Sequence, residues 1–529
     1  MPSWINALQF VILAILLWFI ADTLGFRKIK GIPSIPGYPV VGNLLQILDN
    51  PSLKYTEWSN KYKTSIFQIR LGNTRAVIVN DYHDIEVLWC KNKNIAANNS
   101  RPLGYTFHDI VSSTQGLTVG SSPFNESYVR KKKAISSVLN QSKVHLKSST
   151  IGSHVNDMFK QFIASQPPSH FMSKSNLSAI PDINMMPYVQ NMILGLSICL
   201  IYGLNVDKAL EGNDHTIDIT RTENEILHLR SPFTNLKDYI PILRFISSSS
   251  KQKTLRSVRD QYMNKFWNTM VQEIDLGNPT VIASIMGQLY LGMVNGSNEL
   301  NIPELKSICL SMVSAGLDNT PLNYNHLMGH LSQLATGEVI QKKAYNALME
   351  LYDNDLQLAW NSVESESTCP YIIALIQETL RIFTVLPLAL PRCLSKDIIH
   401  KGVLIPKGTV LIMNAYQANH DSQVFQSPTE FFPERWLNSK QLNHFSFGAG
   451  ARMCSGNLLA CKQLYVLIAK TILMFHIKPP MDPNYQMKLS PFEMNGNPSA
   501  TCFEPKLFKV RLEPRCTPAH ECLYYNLFS

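Results

Sequence analysis

The stretch Phe447-Gly448-Ala449-Gly450-Ala451-Arg452-Met453-Cys454-Ser455-Gly456, followed at once by an apolar periodic run, constrains this chain more than any other. Gly448 and Gly450 admit backbone conformations closed to other residues and let main-chain N–H groups approach a sulfur. Leu458, Cys461, Tyr465, Ile468 and Ile472 recur at helical spacing. Cys454 therefore stands just ahead of a helix N-terminus, where the macrodipole favours an anionic thiolate. A lone cysteine in a turn is ordinarily a small buried apolar residue. Here Phe447, Gly450, Arg452, Cys454 and Gly456 stand at set spacing, a pattern that chance produces in a chain of this length about once in ten thousand.

The 529 residues, 45% of them hydrophobic, can bury a large core, and length alone would suggest three or four domains. No repeat, low-complexity tract or polar linker divides the chain after its first forty residues, so one large domain over 44–515 with a short tail over 516–529 is the better reading. Ile5 to Ala21 is almost wholly apolar and just reaches the length of a membrane-spanning helix. It lacks a basic leader and an A-x-A site, so residues 1–26 are expected to be an uncleaved single-pass anchor. Arg27, Lys28 and Lys30 follow it and place the remainder in the cytosol. The prolines of Ile32-Pro33-Ser34-Ile35-Pro36-Gly37-Tyr38-Pro39 stiffen a hinge over 27–43. Ten scattered cysteines without a C-x-x-C pair read as reduced thiols. A net charge of +9 with no nucleic-acid-binding module points to a membrane surface and an acidic protein partner, and excludes nucleic acid. The densest basic run is Arg130-Lys131-Lys132-Lys133.

Phe67 to Asp81 reads as a hairpin about Gly72-Asn73-Thr74. Helical patterns dominate the rest, giving a mainly α protein with small sheets near the N-terminal end and in the last seventy residues. Tyr105 to Ser122 has the composition of a loop. Leu305 to Leu334 reads as a long helix carrying Ala315-Gly316-Leu317-Asp318-Asn319-Thr320-Pro321. Glu378 and Arg381 lie three apart on the helix Ile372 to Phe383 and share a face among apolar neighbours. Arg392 follows an apolar stretch, and Arg435 lies in Pro433-Glu434-Arg435-Trp436.

In this order, across roughly residues 30 to 515, these motifs resemble those of the cytochromes P450. The resemblance implies a P450 fold, mainly α with small β-sheets, preceded by one N-terminal transmembrane helix. It implies haem b with Cys454 as the axial iron ligand, a thiolate that pushes electron density onto the metal and favours O–O cleavage. Phe447, Gly448 and Gly456 would cradle the porphyrin, and Arg392 and Arg452 would hold its propionates. Lys132 would join them, although Tyr128-x-x-x-Lys132 stands where the family usually has Trp-x-x-x-Arg. Glu378, Arg381 and Arg435 would form the family's buried network. Asp318 would feed protons inward. Asn319 stands in place of the usual first threonine and would position a water, with Thr320 its rival.

Tyr105 to Ser122 would lie over the haem. Arg130 to Lys133 would help dock NADPH-cytochrome P450 reductase at the endoplasmic reticulum membrane, with the catalytic domain cytosolic. Phe107 to Ser113, Asn235 to Pro241 and the segment around Asp318 are most similar to fungal phenylacetate hydroxylases and related yeast enzymes, including one that oxidises a cyclic dipeptide toward pulcherriminic acid. The implied activity is monooxygenation of a small organic substrate, an aromatic acid or such a secondary metabolite. The alternatives are a haem-thiolate isomerase or dehydratase that needs no O₂, against which Asp318 and the basic helix count, and a haem-binding protein without turnover.

Overall fold

The computed structural model describes residues 28–528 apart from 92–98, 113–115, 165–179, 207–209, 211–214, 230–234, 247–248 and 438–441. The expected membrane anchor lies outside the described residues. In chain order the main elements are α1 (Pro51–Tyr62), β1 (Ile66–Leu71), β2 (Thr74–Val79), α2 (Glu126–Val138), α3 (Ser148–Ala164), α4 (Met186–Tyr202), α5 (His215–His228), α6 (Ser250–Asp275), α7 (Ile302–Leu331), α8 (Thr336–Leu351), α9 (Leu356–Ser365) and α10 (Pro370–Phe383). There follow β3 (Arg392–Cys393), β4 (Ile398–His400), β5 (Val403–Ile405), β6 (Val410–Met413), α11 (Asn457–Met474), β7 (Phe475–Lys478), β8 (Arg511–Pro514) and α12 (Pro518–Phe528).

Two helices without a solvent face form the axis of the fold. α11 is buried on every side from Lys462 to its end, and α7 is buried almost throughout from Leu317 onward. Such helices must be enclosed by others, and α3, α4, α8, α9 and α10 do so. α11 is also the described helix long and apolar enough to cross a membrane, but it is the core helix of this fold. An Asn301–Glu304 capping box starts α7. The helix then continues through Pro321, which has no N–H to give to the Leu317 carbonyl.

The hairpin forms, with Ile66 opposite Val79 and Leu71 opposite Thr74. Its second strand pairs in parallel with β6, so the sheet order is β1-β2-β6-β3. The sequence reading did not anticipate β3 and β6, which have two and four residues; runs that short carry no alternation to detect. The expected late sheet is the β7–β8 pair. The tail, which carried no sequence reading, ends the last core helix: His520 Nε2 lies 3.0 Å from the Leu473 carbonyl and the Tyr524 hydroxyl donates to the Met474 carbonyl at 2.8 Å. These carbonyls have no partner within α11 itself, because its last turn leaves them open.

The Glu378 carboxylate is fully buried and takes both Nε and Nη2 of Arg381, at 2.9 and 2.8 Å. Arg435 Nε lies 3.1 Å from it, Trp436 Nε1 donates at 2.8 Å, and the Phe432 amide donates at 2.9 Å. Although burial works to raise its pKa, the hydrogen bond and charge of Arg381, then Arg435, hold the carboxyl below its ordinary range. Arg381 Nη1 continues to the carbonyls of Asn419 and Pro428. Asn419 in turn accepts from the Phe445 amide, and Ser446 Oγ donates to Leu380 O. Glu378 thus holds the segment that leads into Cys454.

Removing this carboxylate leaves two buried guanidiniums uncompensated. Glu378→Ala is expected to cost about 3–5 kcal/mol in urea unfolding, whereas Glu57→Ala at the exposed Lys54–Glu57 pair should cost at most about 0.5 kcal/mol.

Candidate functional site

Gly448 and Gly450 have φ of +72° and +62°, the left-handed region that favours glycine. A Cβ on Gly450 would run into the Trp89 carbonyl, so this glycine is also required by close approach. Two hydrogen bonds, Gly448 N to Phe445 O at 2.8 Å and Cys454 N to Phe447 O at 2.9 Å, close the turn. A Cβ on Gly456 would meet only the Cys454 sulfur, at 3.9 Å. Cys454 itself is exposed, yet burial pushes its thiol pKa up while the Gly456 amide and Lys132 act against that. A sulfur both open and deeply surrounded faces a cleft inside the protein.

α7 and the 117–122 segment bound this cleft. α7 packs on α11 through Thr320 Oγ1 to Gln463 Oε1 at 3.4 Å and Tyr324 OH to Thr471 Oγ1 at 2.9 Å. N-terminal to these contacts Ala315 is exposed and Gly316 and Asn319 are half-buried, on a helix that is otherwise buried from Leu317 onward. The 117–122 segment is tied to α7 by the Val119 amide on Ser311 Oγ and by Ser307 Oγ on the Leu117 carbonyl. Arg452 ties it to the cysteine loop through Nη1 to Val119 O at 3.3 Å and Nη2 to Ser122 O at 2.7 Å.

Positive charge converges at one edge of the cleft. Arg452 stacks on the Tyr128 ring at 3.5 Å. Arg392 Nη2 donates to the Ala449 carbonyl at 2.8 Å, and Arg101 donates to the carbonyls of Gly120, Leu390 and Pro391. Burial, and then Arg452, lower Arg392 to about 9, and burial lowers Arg452 to about 10. Buried guanidiniums that donate to carbonyls at one edge suit an anionic ligand. A porphyrin's two propionates would suit that edge, and Gly456 and the open Cys454 leave room beside it.

The structure therefore brings Phe447, Gly448, Gly456, Arg452, Arg392 and Cys454 into one site. Lys132 joins them differently: its ammonium donates to Met453 O at 2.8 Å and Ser455 Oγ at 2.6 Å. The basic run is not the solvated face that its composition suggests. Arg130 pairs with Glu304 at 2.8 Å, Lys131 is buried on Ser122 and Ser307, and Lys133 is left exposed. Asn319 opens on the cleft and Nδ2 reaches the Ala315 carbonyl at 3.2 Å. Thr320 is buried against α11, about 100° further round the helix. Asp318 is buried and separate from the cysteine side. Sequence reading missed Arg101, whose only signal was a lone arginine before Pro102, and the partners of Asp318, which come from helices distant in the chain.

A sequence model of the family described as Cytochrome P450 matches residues 32–503. The chain is 35% identical over 499 residues to the phenylacetate 2-hydroxylase of Emericella nidulans, covering 92% of this chain and 91% of that protein. It is 35% identical over 493 residues to the 3-hydroxyphenylacetate 6-hydroxylase of the same organism, covering 92% and 90%. A cytochrome P450 monooxygenase of Mycosarcoma maydis is 28% identical over 506 residues.

Asp318 gives the site a pH signature. With the Asn224 amide oriented by its network, the nitrogen faces both carboxylate oxygens at 2.6 and 3.0 Å. Burial, then Glu223 and Glu504, nevertheless raise Asp318 from 3.8 to about 7, against Gln190 and His228. His228 pairs with Glu504 at 2.7 Å, and Tyr262 donates to Glu223. An acid whose folded pKa lies above its unfolded value binds an extra proton when folded, so stability falls as pH rises from 3.8 toward 7. Thermal unfolding is expected to show the unsubstituted protein losing about 1–3 kcal/mol more than Asp318→Asn between pH 5 and pH 8.

Proposed function

Because this chain belongs to the cytochrome P450 family and is a haem-thiolate monooxygenase, we propose that it hydroxylates a small aromatic acid. The observation that carries this substrate class is 35% identity, over nine-tenths or more of each chain, to two enzymes both named for hydroxylating a phenylacetate.

Bound haem supplies oxygen activation, promoted by electron donation from the cysteine thiolate. In this reading Cys454 is that ligand, and Arg392, Arg452 and Arg101 hold the propionates. Gly316 leaves room on the cleft face of α7. Asp318 relays protons toward the cleft from the α5 side, where His228 is partly exposed. Asn319 holds a water at the cleft, since its amide both donates and accepts. Thr320 is turned toward Gln463 and takes no part. Electrons come from NADPH-cytochrome P450 reductase, with Lys133 the exposed charge of the basic run that faces such a partner.

The enzyme sits on the endoplasmic reticulum membrane with this domain in the cytosol. Beyond the apolar N-terminal residues, Phe245 is 90% exposed, Ile242 57%, Tyr38 54% and Leu45 52%. Their segments meet at the β1–β2 turn, where Gly72 N donates to Val41 O and Asn73 N to Tyr239 O. An apolar patch of this kind suits a lipid surface.

With reductase and O₂, the protein is expected to turn over at least one member of a phenylacetate series. Asn319→Ala should then release several-fold more peroxide per product, and Thr320→Val should not. The reverse pattern transfers the role to Thr320, and no turnover across the series removes the substrate class. Protease added to intact microsomes is expected to digest the domain; protection overturns the orientation.

A further inference from the structure

Lys132 is the cation of the site that bonds to the cysteine loop on both sides of Cys454. Arg101, Arg392 and Arg452 direct their donors to carbonyls between residues 99 and 122 and between 390 and 449. The Lys132 ammonium instead bonds to Met453 O and Ser455 Oγ, the neighbours of Cys454 on either side. Two acceptors that straddle one residue bring the ammonium beside that residue's sulfur. Both favour the ammonium's charged form, although burial, and then Arg452, Arg392 and Arg101, lower its pKa. Lys132 is half-buried, in surroundings where a charge acts more strongly than in water.

We infer that Lys132 is a positioning residue for the cysteine ligand, fixing the loop on both sides of Cys454 and using its charge to favour the reduced state of the iron. The inference rests on Cys454 being the ligand. One electron from the NADPH-dependent reductase turns ferric to ferrous haem and adds a negative charge to the site. A cation beside the thiolate lowers the free energy of that reduced state, so its removal makes the first electron harder to accept. Lys132 then serves the transfer of the electron itself, and Lys133, exposed and turned from the loop, serves only encounter.

The test is the midpoint potential of the purified haem-loaded protein, read beside its reduced-CO spectrum. Lys132→Gln is expected to lower the ferrous-to-ferric ratio at fixed applied potential about three- to tenfold, tenfold being 59 mV for a one-electron couple. Lys132→Met, which keeps the aliphatic stem, should do the same; Lys132→Arg should restore most of the shift, and Lys133→Gln should leave the potential where it was. An unchanged potential in Lys132→Gln with the thiolate-type spectrum intact overturns the inference. An equal fall in Lys133→Gln does so too, as does loss of haem from both neutral variants, which makes Lys132 a binding residue. Survival of the thiolate-type spectrum in Cys454→Ser is a separate outcome and removes the ligand assignment beneath it.

Discussion

A single buried carboxylate, Glu378, holds the functional loop in place. A carboxylate sealed from water must be met by donors on every lone pair, and here Arg381, Arg435, Trp436 and the Phe432 amide meet it. The two arginines reach into backbone between Gln426 and Glu430 that has no helix or strand to define it. Arg381 and Arg435 together gather the carbonyls of Asn419, Gln426, Ser427, Pro428 and Glu430. Through Asn419 and Ser446 this order passes into the turn that presents Cys454. Buried ion pairs contribute little net stability compared with apolar packing. Their value here is that one arrangement of a loop-rich region satisfies all the donors at once.

Charge is sorted across the interior. On the cysteine side stand Arg101, Arg392, Arg452 and Lys132; burial lowers the proton affinity of Lys132 and Arg392, and Arg452 lowers both further. On the α5 side stand Glu223, Asp318 and Glu504, which raise Asp318. α7 carries both relations: its early turns bond to Lys131 and Arg130, and its middle bears Asp318. The positive edge suits a cofactor's acid groups. The acidic edge suits proton handling, since a carboxyl that titrates near neutral pH can both hold and release a proton. Different turns of α7 hold the two sets apart.

Some of this was legible beforehand and some was not. The turn at 447–456, the helices over 302–331 and 370–383, and the hairpin follow from local spacing, and the structure has them within a few residues. The pairing of Glu378 with Arg381 also follows, because residues three apart on a helix share a face. Which way Asn319 and Thr320 face depended on helix phase, which only the packing of α7 on Gln463 and Thr471 fixes. Arg130 to Lys133 look alike as four charges in a row. They separate into an ion pair, a buried lysine, a loop contact and an exposed end because successive residues on a helix point in different directions.

The sequence by itself determined the conformations that depend on neighbours in the chain. Gly448 and Gly450 had to be glycine where φ is positive, the Asn301–Glu304 cap starts α7, and apolar residues on every side of α11 demand enclosure. The tertiary structure alone decided which distant residues share a cleft. Arg101 meets Leu390, Lys132 meets Ser455, Asn224 meets Asp318 and Tyr524 meets Met474. The physical reason is that backbone geometry is set over a few residues by sterics and hydrogen bonds. The meeting of charges and donors is set by how whole helices pack, and no local pattern encodes that.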